Sequence, residues 1–184
     1  MKTFLAIFIP CFVFCGSLNA QSISGNFTLL ANQEIKLEGF RGLKSYPISS
    51  TIIDEKGSFK LPYSESDYGV GFLMSADEKP LFVILSGEDI EIVGEALSYT
   101  ETLNITQGYE NQCFEQFAKE HPKREQALSA WGYLEKIYTS DSLFAFQEAP
   151  YQAIQKETQR IKSEDTLFLS KLPKDSYVSW FLPA

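Results

Sequence analysis

The spacing of apolar residues changes period once along the chain. Between positions 22 and 93 apolar and polar residues alternate in short runs, as in Ile35 and Leu37 against Glu34, Lys36 and Glu38, or Ile90 and Ile92 around Glu91. A two-residue period sends successive side chains to opposite faces of a half-buried strand. It predicts strands over 22–30, 34–40, 47–54, 58–61, 69–75, 81–86 and 90–93. Nine glycines punctuate 22–108, and Asp54-Glu-Lys-Gly57 and Ser86-Gly-Glu-Asp89 carry the short polar residues and glycine that tight reversals need.

After Gly108 the period lengthens. Tyr109, Cys113 and Phe117 recur every four residues and Leu128, Trp131, Leu134 and Ile137 every three, the stripe of amphipathic helices. Pro122 is predicted to separate these two helices, because proline lacks the N–H that a helix interior uses. A third helix is predicted from about 150 through Tyr151, Ile154, Thr158 and Ile161, with 163–170 continuing it or starting a fourth, and 174–184 forming a turn and the start of another. The expected architecture is therefore α+β: an antiparallel β-sandwich or small open barrel over 21–105, then a helical segment over 106–184. The chain finishes on apolar Trp180-Phe-Leu-Pro-Ala184. Either this segment docks back on the helices, or, the favoured expectation, the sequence is a piece of a longer protein.

The first twenty residues have the parts of a secretory signal peptide: Lys2, an apolar run from Phe4 to Phe14, and small residues before a cleavage point after Ala20. The run is short for a membrane span. Lipidation at Cys15 is the less favoured alternative, since Phe14 stands where a small residue is wanted. The expected location is the periplasm or cell envelope, with no membrane span in the mature chain. Cleavage removes Cys11 and Cys15, leaves Cys113 as a lone thiol, and takes the formal net charge from −8 to −9 by removing Lys2.

Charge and composition narrow the function classes. The 16 Lys and Arg form no basic stripe among 24 Asp and Glu, which argues against nucleic-acid binding. A hydrophobic fraction of 44% with 15 Phe, 9 Tyr and 2 Trp suits a packed core. Cys113 shares the apolar stripe with Tyr109 and Phe117 and has Glu110 and Glu115 beside it, the reverse of what activates a thiolate. It reads as a packed structural thiol. His121 lacks a second His or Cys for a typical zinc site and reads as a solvated residue in a polar junction; no metal or other cofactor is expected. The acidic pairs Asp54/Glu55 and Glu88/Asp89 read as turn chemistry. Tyr46, Tyr63, Tyr68 and Phe72, with Phe82, fall on or beside strands and are the candidate ligand-surface aromatics, against the alternative that they fill the core. Asn26-Phe-Thr28 and Asn104-Ile-Thr106 match the Asn-linked acceptor, and Asp141-Ser-Leu143 and Asp165-Thr-Leu167 a bacterial O-glycosylation tripeptide, all short enough to arise by chance.

Several motifs together resemble a known arrangement. They are Ile23-Ser-Gly-Asn-Phe27, Ile53-Asp-Glu-Lys-Gly-Ser-Phe59, Tyr68-Gly-Val-Gly-Phe72, the run from Leu81 to Ile92, and Gln107-Gly-Tyr-Glu-Asn-Gln112. Over roughly 22–118 the chain resembles the N-terminal domain of unknown function that precedes a thioredoxin-like domain in exported Bacteroidota thiol-disulfide oxidoreductases, and the helical stretch is similar to the linker that follows it. That family's catalytic unit carries Trp-Cys-x-x-Cys, and this sequence has no Cys-x-x-Cys. The resemblance thus implies a non-enzymatic accessory or interaction module, whose partners are a thioredoxin-like domain, substrate proteins of the envelope, or a second copy. The alternative is a free-standing exported module that binds glycan or peptide through strand aromatics; an enzyme with dispersed carboxylates ranks third.

Overall fold

The computed structural model describes residues 20–76, 79–145 and 147–182. The predicted leader up to position 19, with Cys11 and Cys15, lies outside them. The elements run β1 (Gln21–Phe27), β2 (Glu34–Arg41), β3 (Lys44–Ile52), β4 (Ser58–Tyr63), β5 (Gly69–Ser75), β6 (Leu81–Leu85), β7 (Ile90–Gly94), β8 (Asn104–Gln107), α1 (Tyr109–Ser140), α2 (Glu148–Ser170) and α3 (Val178–Phe181).

The strands form two four-stranded sheets, ordered β4-β1-β7-β8 and β3-β2-β5-β6. The fold is α+β, and the sheets are not closed into a barrel. One pair departs from the antiparallel expectation: β1 runs parallel to β7, Ile23 opposite Ile90. Alternation along each strand sends Ile23, Ile35, Leu37, Leu61, Leu73, Val83, Leu85, Ile90 and Ile92 between the sheets, all at 0–1% exposure. Burying each such side chain contributes about 1.5–3 kcal/mol before entropy is counted. Gly25 permits the close approach of β1 and β7, since a Cβ there would lie 1.9 Å from the Ile92 carbonyl oxygen. The Asp54 carboxylate accepts the N–H groups of Lys56 and Ser58, and Gly57 takes the positive φ of 86° that closes the β3–β4 turn.

The edge strands β6 and β8, one from each sheet, are bridged by the first turns of α1. An unpaired strand edge carries N–H and C=O groups that invite another chain. Here α1 satisfies them with side chains. Asn111, 2% exposed, accepts the Ile84 N–H and donates to the Ile84 carbonyl, both at 2.8 Å. On β8, Gln112 donates to the Ile105 carbonyl at 3.1 Å and Glu115 accepts the Ile105 N–H at 3.4 Å, and just before the strand Lys119 donates to the Leu103 carbonyl at 3.1 Å. A second apolar core forms there from Ile84, Phe117, Leu172, Val178 and Leu182, with Phe82, Cys113 and Phe168 packed against it. Val178 and Leu182 dock the last described turn on this core, while Trp180 and Phe181 stay exposed.

Two expectations are corrected and one open alternative is decided. Pro122 does not end a helix: α1 continues through it for 32 residues. The proline forfeits one backbone hydrogen bond, but side chains around it are tied to other groups: Arg124 pairs with Glu120 one turn away, and His121 and Arg124 both reach Asp165 on α2. The third helix and its continuation are one element, α2, whose Ile154 and Ile161 are buried. An eighth strand, β8, extends the first sheet to Gln107, past the expected division at 105; its four residues include only one half-buried apolar side chain, Ile105, so no alternation announces it.

Replacing Asn111 by Ala strands the Ile84 N–H and C=O in a dry site and is expected to destabilise the chain by about 2–4 kcal/mol, whereas exposed Gln112→Ala costs below about 1 kcal/mol. Urea midpoints at unchanged m-value measure both.

Candidate functional site

The four aromatics selected from sequence do not share one surface. Tyr63 is corrected to a core residue: it is 2% exposed and its hydroxyl donates to the Glu88 carbonyl, with burial holding its pKa well above the ordinary tyrosine value. Tyr68 is half-buried and packs edge-on against Tyr63 at 6.3 Å. Half-buried Tyr46 donates to Asp67 at 3.2 Å and lies under the Arg41 guanidinium, 4.7 Å from the ring centroid. Burial, and then Asp67, raise its pKa.

Phe72 leads elsewhere. Leu73 faces the core, so Phe72 projects from the outer face of the second sheet, directly opposite Phe82 on β6. Rings continue in both directions: Phe40 to Phe72 at 5.3 Å, Phe72 to Phe82 at 5.8 Å, and Phe82 to Phe114 at 4.6 Å and to Phe181 at 6.0 Å. Phe40 is 43% exposed at one end, Phe181 42% and Trp180 79% at the other. The row assembles from β2, β5, β6, α1 and α3, with gaps of tens of residues in the sequence. Beside Phe82, between the β6 edge and α1, lies a largely apolar groove of about 630 Å³, with Leu103 and Ile105 in its floor.

The titratable groups are fastened. Asp165 takes His121 Nδ1 at 2.7 Å on one carboxylate oxygen and Arg124 Nε at 2.5 Å on the other. His121 also stacks on Phe117, ring centroids 4.7 Å apart, which corrects the expectation of a solvated residue. Ligand atoms of His121, Glu125 and Asp165 lie within 4.8 Å of one another, so the trio has metal-ligand proximity, but both Asp165 oxygens already hold donors. Cys113 is half-buried; burial raises its pKa, opposed by a hydrogen bond from Tyr109 and reinforced by Glu110 and Glu88. The thiol is thus held in the less nucleophilic, protonated form. Asp89 accepts both the N–H and the hydroxyl of Ser22 at 2.9 Å, fastening the start of β1 to β7. Among the described residues no helix is long and apolar enough to cross a membrane.

Glu110 is a buried carboxylate, 9% exposed, accepting the Val178 N–H at 2.7 Å. Desolvation chiefly, then nearby Glu88 and Asp175, raises its pKa above the ordinary 4.5, while the Val178 hydrogen bond pulls the other way. The folded state therefore holds this proton more tightly than the unfolded chain. Its contribution to stability is fully present below pH 4.5 and is lost as pH rises through the folded value. Wild-type stability measured against Glu110→Gln should fall as pH rises above the ordinary value of 4.5; a flat or rising difference contradicts the assignment.

Comparison with known proteins adds little to this geometry. No family model matches the chain, and no curated protein matches it. Among solved structures, a 9R-lipoxygenase from Cyanothece PCC8801 aligns with 52% of this chain and 19% of its own, at 16% identity and a TM-score of 0.30, a superposition too loose to bear on fold or chemistry.

Proposed function

We propose that the chain is a non-catalytic interaction module of the cell envelope that holds a thioredoxin-like thiol-disulfide oxidoreductase domain or its substrate proteins. The observation that carries this reading is the row of contacting rings from Phe40 to Phe181, which leaves aromatic area in solvent on one face of the second sheet. Rigid aromatics present large contact area at low entropic cost, and partly exposed clusters of them mark interaction surfaces. The resemblance of the sequence motifs to the oxidoreductase-associated domain suggests the partner class. A second reading, a free-standing module for peptide rather than glycan, gains support from the apolar groove beside Phe82.

Photo-crosslinking tests the first reading. With p-benzoylphenylalanine at position 40, the intact protein in its own envelope is expected to cross-link to a polypeptide segment bearing Cys-x-x-Cys, whereas the same probe at exposed position 133 on α1 does not. Equal products from both positions, or products without such a segment, would count against it.

A further inference from the structure

We propose that the groove between the edge of β6 and α1 binds a short extended peptide segment, pairing it with the backbone of Phe82 and seating one apolar side chain among Leu81, Phe82, Leu103, Ile105 and Phe114. This deepens the interaction-module reading and rests on it, but uses a surface distinct from exposed Phe40.

The register of β6 supplies the backbone half of the argument. Val70 pairs with Ile84 and Phe72 with Phe82 across the β5–β6 ladder. In an antiparallel pair the hydrogen-bonding direction alternates, so residues two apart turn their N–H and C=O the same way. Ile84 turns both groups away from β5, to Asn111. Phe82 therefore also turns both outward, at the point where its side chain lines the groove. No described residue pairs with them: Asn111 acts as one rung of an added strand, and the next rung is empty. Pro80, without an N–H, ends the edge just beyond, which restricts the added segment to a few residues.

Side chains define the rest. At about 630 Å³ the groove falls within the size range of small-ligand and side-chain pockets, roughly 300–1,000 Å³. On the α1 rim Lys119 is engaged by Glu115 and the Leu103 carbonyl. Lys123, one turn on, makes no close ion pair among the described residues, the Glu120 carboxylate acting on it only at longer range, and Glu101 stands among the other lining residues. An acidic residue beside the apolar one suits Lys123. An acyl chain would fill the same floor but leave the Phe82 N–H and C=O unpaired when water is expelled, whereas an extended peptide supplies partners for both.

Hydrogen exchange and binding on the intact mature chain test the proposal together. The Phe82 amide is expected to exchange fast in the free protein while Ile84 is protected. The probe is a mixture of capped hexapeptides with Leu, Phe or Val at the third position and Asp at the fourth. It should protect the Phe82 amide, and N-methylation of the third residue should weaken binding by about tenfold or more. Ala118→Trp, at an exposed position that lines the groove, should abolish binding without lowering the melting temperature, while Phe40→Ser leaves it intact. Protection of Phe82 in the free protein, equal binding by the N-methylated peptides, no binding up to about 1 mM, or decanoate occupying the groove in place of peptide would each overturn the proposal. Because Phe40→Ser leaves the groove unchanged, loss of cross-linking at position 40 and loss of peptide binding are separable results.

Discussion

Everything beyond the two sheets depends on one arrangement, the pairing of the Asn111 side-chain amide with both backbone groups of Ile84. An amide side chain presents a donor and an acceptor in the spacing of a peptide bond, so Asn111 continues the β6 edge as a strand would, yet belongs to a helix. Fixing that contact sets α1 along the flank of the sandwich, where Gln112, Glu115 and Lys119 reach the β8 edge from the same helix. It also turns Phe117 and Cys113 toward Ile84 and makes a place for Val178 and Leu182. The second core is thus a consequence of edge capping, and the capping of Ile84 and Ile105 by polar side chains shortens the exposed ladders that would otherwise drive association, leaving the Phe82 rung of β6 open.

The helical hairpin follows from the same helix continuing past its proline. A helix of 32 residues with Pro122 inside contains a weak point. The Asp165 carboxylate holds His121 and Arg124 on the two sides of it, in a partly buried setting where charge-assisted hydrogen bonds are stronger than at a fully wet surface. The residues that most resemble a catalytic or metal-binding cluster are engaged in this fastening. The surfaces left free are apolar: the ring row and the groove, meeting at Phe82.

Much of the fold was legible because strand alternation and turn chemistry are local. Ile35 and Leu37, or Ile90 and Ile92, announce their face within a few residues, and Asp54 and Gly57 announce their turn. β8 was not legible, since its pairing with β7 comes from tertiary position rather than from its own four residues. Pro122 misled because local propensity was overruled by contacts with Asp165, forty-odd positions away. The site was less legible than the fold. Phe72 could be singled out, but its value lies in contacts with Phe40 and Phe82, which depend on strand order, and Tyr63 could not be told from a surface ring before its neighbours were known. Asn111 gave no signal, because nothing in a helical stripe marks one polar residue as facing a strand edge.

The role of α1 as the cap of both edges is tested most directly by the chain ending at Gly108, which keeps the eight described strands and loses the cap. Size-exclusion chromatography with amide exchange is expected to show self-association, together with loss of protection at Ile84 and Ile105. A monomer whose Ile84 and Ile105 amides remain as protected as in the full chain would contradict it.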